Sequence, residues 1–348
     1  MVRICRRKWH QRYWASWEHF RQGGPVFLLI GGEGAESPGW LEAGALHDYA
    51  LQYGGAMFIL GEYIEISPTS HLPWDHSEHR YYGQSKPVSE LSVKNLAWLS
   101  SHQALADLAA FILSMKEQHG LTGAWVAIGG SYPGSLAGWL RLKYPHLVAG
   151  AVAASGPVNA KPDFPEYLTV VDTALSSQAG QCSLSVKSAV SKVISLTSHS
   201  LGRLRLGKIF RLCQPLDEGK TGVATLVEAL LGNLETVVQY NRDKKTGPWS
   251  NLTTSTLCHI MTAGQGSPLD RFAQLNDLSL KVAESQCLDV DYDNKVMMLR
   301  RTDYTYPTSR VPGDTGNRQW LYQTCTQFGW YQSSDQPGQS HPACRTTY

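Results

Sequence analysis

Short apolar runs alternate with a helical pattern in the first half of the chain. The runs cover residues 25–30, 55–60, 124–127 and 147–155, and a stretch with helical spacing extends from about Ser100 to His119. Each run has the length and apolar content of a strand that is buried on both faces. Strands that alternate with helices predict an α/β fold, in which helices cover a parallel sheet.

The second half has a different pattern, with apolar residues at three- and four-residue steps and few strand-like runs. The periodic stretches are residues 164–177, 184–199, 222–240 and 271–284. Four or more successive helices predict a helical layer inserted into the α/β domain. The predicted divisions are an atypical N-terminus at 1–24, the N-terminal part of the α/β domain at 25–160, a helical cap at 161–315, and a short return to the α/β domain at 316–348.

The run Gly-Gly-Ser-Tyr-Pro-Gly at 129–134 is the main candidate for chemistry. It lies between a predicted strand and a predicted helix, as a nucleophile elbow does. Such a turn holds the hydroxyl of Ser131 clear of the backbone, and the N–H of Tyr132 then points at an oxyanion beside it. The strict pattern has Gly where this chain has Pro133. The run alone therefore fits an ordinary strand–turn–helix equally well.

A second glycine-rich segment, Gly-Gly-Glu-Gly at 31–34, follows the first predicted strand. Hydrolases with a nucleophile elbow place another oxyanion N–H donor in a loop of this kind. We therefore predict that the backbone of Gly32 contributes to an oxyanion hole. Taken singly, the segment is also compatible with a simple turn.

Several motifs in the same order resemble one family of serine exopeptidases. They are the segments at 31–34 and 129–134, Glu-His-Arg-Tyr-Tyr-Gly at 78–83, Leu-Ser-Ser-His-Gln-Ala-Leu-Ala-Asp-Leu at 99–108, and Arg-Gln-Trp-Leu-Tyr-Gln-Thr-Cys-Thr at 318–326. The family is that of prolyl carboxypeptidase and dipeptidyl peptidase II, and the chain is similar to its thymus-specific serine protease branch. The similarity extends from about residue 11 to about residue 335.

The resemblance implies an α/β-hydrolase with an inserted helical cap and a Ser–Asp–His triad in that chain order. It implies peptide substrates, from whose ends residues or dipeptides are removed, often next to proline, and it implies no cofactor and no metal. Ser131 is the nucleophile in this interpretation. Glu33 is a candidate to bind the free amine of a peptide, which would suit a dipeptidyl peptidase.

The acid and the histidine of the triad have no matching motif in the chain. The family carries them near the C-terminus, whereas Asp314 precedes the 318–326 motif and His341 lies in a polar tail without a preceding strand. A serine without a positioned base is a poor nucleophile at neutral pH. We therefore expect the chain as written to lack the C-terminal strands of the fold and to be inactive.

Two further features depart from the family pattern. No apolar signal segment follows the basic N-terminus, although the family is secreted or lysosomal, and residues 61–77 intervene before the 78–83 motif. Prolines, serines and threonines in 61–77 predict a loop. A truncated isoform or a misplaced exon boundary explains these departures together, and a natural insertion is the alternative for 61–77.

Seven cysteines are present and none forms a Cys-x-x-Cys pair, so they provide no zinc or redox motif. The resemblance implies disulfides between Cys182 and Cys258 and between Cys213 and Cys287, and it leaves Cys325 without its family partner. Cys5 and Cys344 match nothing in the family. Asn251 begins an Asn-Leu-Thr glycosylation sequon, which together with the resemblance favours the secretory pathway.

The composition argues against some classes of partner but identifies no catalytic residue. The net charge of +2 over 348 residues gives no reason to expect a nucleic-acid partner, and no apolar run reaches the length of a membrane span. We expect Glu78 and Arg80 to pair structurally, and Asp107 to be solvated or to cap a helix.

Two other functions remain open. A hydrolase fold without a triad could bind peptides or a partner protein without catalysis, and a lipase or esterase shares the elbow. The tyrosine after Ser131 and the 318–326 motif speak against a lipase.

Overall fold

The chain folds into two compact units, residues 1–160 with 299–329 and residues 161–298 with 330–348. The structure is a computed structural model that describes residues 13–33, 38–60, 79–82, 85–241, 252–304 and 316–334. Several features singled out in the sequence lie outside the described residues: Cys5, Gly34, residues 61–77, Glu78, Asn251, Asp314, His341 and Cys344.

A five-stranded sheet forms the centre of the first unit, in the order β1-β3-β2-β4-β5. The strands are β1 (Trp14–Ser16), β2 (Val26–Leu29), β3 (Ala56–Ile59), β4 (Trp125–Gly130) and β5 (Gly150–Ala154). Strands β2 to β5 are parallel, with Val26 opposite both Ala56 and Trp125, and β1 pairs antiparallel with β3. The four apolar runs are the four parallel strands, so the predicted α/β class is confirmed.

Helices of the first unit begin and end where local chemistry favours it. They are α1 (Ala45–Tyr53), α2 (Ser101–His119), α3 (Tyr132–Lys143) and α11 (Asn317–Gln323), with short turns at Pro38–Leu41, Asn95–Trp98 and Thr324–Phe328. The Ser100 side chain accepts the Gln103 N–H and caps α2, which ends at Gly120 in the left-handed conformation. Leu105, Leu108 and Ile112 lie on the buried face of α2 at three- and four-residue steps.

Strand β5 forms one edge of the sheet as described. Residues 151–154 are exposed, and Val152 keeps 38% of its surface accessible. In contrast, every residue of β3 is buried. The described sheet therefore has a well-covered centre and one open, apolar edge.

The second unit is almost entirely helical. Its helices are α4 (Glu166–Gln178), α5 (Gly180–Thr197), α6 (Ser200–Ile209), α7 (Lys220–Gln239), α8 (Thr254–Ala263), α9 (Pro268–Val282) and most of α10 (Tyr292–Arg300), and β6 (Lys161–Asp163) pairs with β7 (Gly329–Tyr331). Helix α8 was not predicted because its threonines and other β-branched residues are weak helix formers. Thr253 caps it by accepting the Thr256 N–H.

Two disulfides stabilise the second unit, Cys182–Cys258 and Cys213–Cys287, and they are the pairs that the resemblance implied. Cys182 and Cys258 lie in the core, at 0% and 4% exposure. The disulfides close loops of 76 and 74 residues. Loops of that length correspond to roughly 4 kcal/mol each from lost chain entropy in the unfolded state.

Only the segment Thr221–Gln239 of α7, among the described residues, is long and apolar enough to cross a membrane by length and composition. Its side chains Leu226, Leu230 and Leu234 are at most 2% exposed and belong to the core of the second unit. The buried part of this segment, 39% of the apolar window, therefore packs within the unit.

Candidate active site around Ser131

Ser131 lies at the sharp turn where β4 ends and α3 begins. Its backbone has φ 59° and ψ −134°, a conformation that costs a non-glycine residue about 1–3 kcal/mol. Two backbone bonds hold it there: the Ser131 N–H donates to the Ala154 carbonyl at 2.9 Å, and the Ser135 N–H donates to the Ser131 carbonyl at 3.2 Å. The residue is exposed, so the turn presents its hydroxyl at the surface of the unit.

Close backbone packing explains two glycines of the elbow. A Cβ on Gly129 would lie 2.2 Å from the Pro133 carbonyl oxygen, and one on Gly32 would lie 2.7 Å from Pro133 Cγ. Gly129 therefore lets the helix turn back tightly on the strand. Gly32 lets the 31–33 loop approach Pro133 of the elbow closely.

Pro133, which replaces the glycine of the strict motif, fits its position without the loss of a helical hydrogen bond. It lies in the first turn of α3, where a backbone N–H has no partner within the helix and a fixed φ suits the geometry. Helix α3 therefore begins directly after Ser131, with Tyr132 as the first helical residue.

The side chain of Tyr132 is fixed by a buried hydrogen-bond network. Gln323 Nε2 donates to the Tyr132 hydroxyl at 3.1 Å, and that hydroxyl lies 3.1 Å from His79 Nε2. Tyr82 donates its hydroxyl proton to Gln323 Oε1 at 2.6 Å. All four side chains are at most 4% exposed. We call Tyr132, His79, Gln323 and Tyr82 the Tyr132 network.

The tautomer of His79 follows from its partners. His79 Nδ1 lies 2.8 Å from the Arg80 carbonyl oxygen, which only accepts, so Nδ1 carries the proton and Nε2 accepts from Tyr132. The pKa of His79 is lowered to about 4, mainly by burial and less by the Arg80 charge, against the opposing effect of the hydrogen bond to the Arg80 carbonyl. His79 is thus a neutral, structural histidine at ordinary pH.

Asp107 corrects an expectation from the sequence. It is neither solvated nor a helix cap, because both carboxylate oxygens accept from Arg80, at 2.6 Å from Nε and 2.5 Å from Nη2. The two side chains are 6% and 18% exposed. Burial raises the pKa of Asp107, and the Arg80 hydrogen bonds oppose that rise. Arg80 has the expected structural role, with Asp107 on α2 as its described carboxylate partner and a further hydrogen bond to the Trp98 carbonyl at 3.2 Å.

Glu33 lies in the glycine-rich loop near the elbow in a half-buried position. Burial raises the pKa of its carboxyl group, and a backbone hydrogen bond of Glu33 itself lowers it in part. Its charge also contributes to the raised pKa of Tyr132, after burial of the phenol. A nearby cation would oppose this rise, because it stabilises the charged form of the carboxyl group.

Among the described residues, no imidazole or carboxylate forms a hydrogen bond with the Ser131 hydroxyl. His79, the histidine of the 78–83 motif, has its Nε2 bonded to the Tyr132 hydroxyl. The described part of the site therefore supplies a serine, a helix N-terminus and a glycine-rich loop. The triad positions considered at Asp314 and His341 lie outside the described residues.

Sequence reasoning missed the Tyr132 network, although its members were in the motifs already noted. Gln323 belongs to the 318–326 motif and is 191 residues from Tyr132, while His79 and Tyr82 belong to the 78–83 motif. The same motif places the Trp320 ring 5.7 Å from the Tyr132 ring. The order of the motifs along the chain does not indicate that the 78–83, 129–134 and 318–326 motifs meet around the Tyr132 side chain.

A mostly parallel sheet with flanking helices and a strained, exposed serine between strand and helix defines the class of α/β-hydrolases with a serine elbow. The family model described as serine carboxypeptidase S28 matches residues 4–347. The chain belongs to this family of serine peptidases.

Two of the relatives match nearly the whole chain, and a third matches 62% of it. A Caenorhabditis elegans relative is 36% identical over 330 residues, which is 93% of this chain and 60% of the relative. Human thymus-specific serine protease is 35% identical over 347 residues, 95% of this chain and 62% of that protein. Mouse lysosomal Pro-X carboxypeptidase is 33% identical over 225 residues, 62% of this chain and 42% of that protein. The chain therefore spans about 60% of the length of the first two relatives.

Proposed function

We propose that this protein provides the nucleophile and the oxyanion donors of a serine exopeptidase. Ser131 is the nucleophile, and the backbone N–H groups of Tyr132 and Gly32 bind the oxyanion. The substrates are peptides, from whose ends residues or dipeptides are removed, often next to proline. The observation that carries the proposal is the exposed Ser131, which has a positive φ, at the N-terminus of α3.

The proposed chemistry follows from this geometry. The Ser131 oxygen attacks the carbonyl carbon of the scissile bond while its proton passes to a base. The carbonyl oxygen becomes an oxyanion, which the N–H donors and the positive end of α3 stabilise. The tetrahedral intermediate then collapses: the C–N bond breaks as the protonated base gives its proton to the leaving amine, and water later hydrolyses the acyl enzyme and restores the Ser131 hydroxyl.

The base is the missing part of this scheme among the described residues. An unassisted serine hydroxyl reacts slowly at neutral pH, and His79 is committed to Tyr132. We therefore propose that the 348-residue chain by itself is inactive and that turnover requires an Asp and a His of the family type.

We propose Glu33 as the group that binds the free amine of a peptide. The raised pKa of its carboxyl group supports this role, because an ammonium group would stabilise the carboxylate that burial disfavours. Binding at this position would place the N-terminal end of a peptide near Ser131 and would favour a dipeptidyl peptidase mode.

The secretory pathway, ending in the lysosome or outside the cell, is the proposed location. Two disulfides support it, because such bonds persist in oxidising compartments. The relative named lysosomal Pro-X carboxypeptidase is consistent with it. Glycosylation at Asn251 is part of the same proposal.

A fluorophosphonate probe tests the nucleophile directly. We expect no labelling of the 348-residue chain at Ser131, and labelling of the same chain extended with the C-terminal segment of a family member. The Ser131→Ala variant of the extended chain is the matched control and should not be labelled. An extended chain that folds cooperatively but remains unlabelled would exclude Ser131 as the nucleophile. If that chain still bound proline-containing peptides, the non-catalytic alternative would replace the enzyme.

A further inference from the structure

A cluster of metal-binding side chains lies outside the elbow. His19 and Glu18 are in the turn that follows β1, and His47 is in the first turn of α1. One ligand atom from each of the three residues lies within 4.8 Å of the other two. The two histidines are 28 residues apart in sequence, so no spacing motif marks the cluster.

The two imidazoles lie close enough together to bind one metal ion between them. His19 Nε2 and His47 Nε2 are 3.1 Å apart, and the rings meet nearly edge to face at 77°. In a tetrahedral zinc site with Zn–N bonds of about 2.0–2.1 Å, two nitrogen ligands are roughly 3.3 Å apart. A small displacement of either ring therefore opens the space for an ion. Both histidines are half-buried and Glu18 is exposed, so the carboxylate can close on the ion by a rotamer change.

A second carboxylate, that of Asp48, lies near the other ring nitrogen of His47. Asp48 Oδ1 lies 3.6 Å from His47 Nδ1, just beyond hydrogen-bond distance, whereas His47 Nε2 is the nitrogen that meets His19. A metal-bound histidine commonly directs its other ring N–H at a carboxylate, which fixes the tautomer and the ring orientation. Two neutral histidines and Glu18 leave one positive charge from a divalent ion, and Asp48 offsets that charge.

We propose that Glu18, His19 and His47 form a binding site for a divalent transition metal of the zinc class, with Asp48 as the supporting carboxylate. The two-histidine, one-carboxylate set matches the ligands that zinc prefers and leaves a fourth position for water. The ion would link the turn after β1 to the start of α1. The site is independent of the proposed peptidase chemistry.

Zinc titration of the full chain tests the proposal, with no polyhistidine tag and with thiols blocked by iodoacetamide. We expect one zinc ion per chain by calorimetry and a higher melting temperature with zinc. His19→Asn and His47→Asn should weaken binding at least about tenfold, and Asp48→Asn about tenfold. His102→Asn, an exposed histidine on α2, is the matched control and should bind like the wild type. Circular dichroism confirms that each variant folds.

Cobalt supplies a second measurement, because tetrahedral nitrogen and oxygen ligands give visible bands without the thiolate charge-transfer absorption. Loss of these bands in both histidine variants supports the proposal. If a histidine variant does not fold, exposed Glu18→Gln takes its place and should weaken zinc binding about tenfold. No stoichiometric binding by the folded wild-type chain, or unchanged binding in these variants, would show that the two histidines only share a hydrogen bond.

Discussion

Removing the Tyr132 hydroxyl tests whether the buried network fixes the elbow. In Tyr132→Phe the ring remains, with its contacts to Trp320 and Phe328, while one oxygen atom is lost. His79 Nε2 then lacks its donor and Gln323 Nε2 lacks its acceptor. Both side chains are at most 4% exposed, so bulk water does not replace the missing partner.

The magnitude follows from the two groups left unpaired. A buried polar group without a partner costs about 1–3 kcal/mol, and each of these two groups loses the Tyr132 hydroxyl. Removing a buried hydroxyl returns part of this cost, because its own desolvation is no longer needed. We therefore expect a loss of about 2–4 kcal/mol from the free energy of unfolding, against a typical total of about 5–15 kcal/mol.

Urea unfolding monitored by tryptophan fluorescence measures the loss. Tyr53→Phe is the matched control, because Tyr53 on α1 is 58% exposed, and its change should stay within about 0.5 kcal/mol. Equal stability of Tyr132→Phe and Tyr53→Phe would refute the reasoning. The double variant with Gln323→Leu should cost less than the sum of the single variants, because the first change already removes the contact between the two residues.

Four other changes have definite expected outcomes. Gly129→Ala should lower the free energy of unfolding by at least about 3 kcal/mol, because its Cβ would lie 2.2 Å from a carbonyl oxygen. The control in the same urea assay is Gly138→Ala on α3, which should be neutral or stabilising because its nearest contact is at 4.0 Å. Gly232→Ala on α7 meets nothing within 4 Å and should stabilise the second unit by about 0.5–1 kcal/mol; a loss of stability on thermal unfolding would contradict this. Burial and then a neighbouring acid raise the pKa of Glu235 from 4.5 to about 7, so its stabilising protonation is complete below pH 4.5 and is lost as the pH rises through 7. Glu235→Gln should accordingly gain about 1–3 kcal/mol at pH 8 and nothing at pH 4.5, and a gain of equal size at both values would argue against titration of this group. Val152→Lys on the exposed edge strand β5 should reduce aggregation measured by light scattering, because a charge on an edge strand opposes pairing with another chain, and it should leave the unfolding midpoint within a few degrees. Unchanged aggregation would mean that β5 is not the strand through which copies associate.

Local sequence patterns determined the elements with strong periodicity. The apolar runs at 25–30 and 55–60 became β2 and β3, since a strand buried on both faces needs apolar residues at every position. The helical stretch from Ser100 to His119 became α2, with Ser100 as its cap. In contrast, β1 has only three residues, too few to display alternation, and was not predicted.

The sequence also identified the serine elbow, and its resemblance to a family implied both disulfides. Only the tertiary structure decided what surrounds these residues. Tyr132 meets Gln323 across 191 residues, Arg80 meets Asp107 across 27, and His19 meets His47 across 28. Periodicity and propensity describe neighbours along the chain, whereas such contacts depend on the path of the backbone through space. The polar groups behind the elbow and the histidine cluster therefore became visible only once the strands were arranged in their sheet.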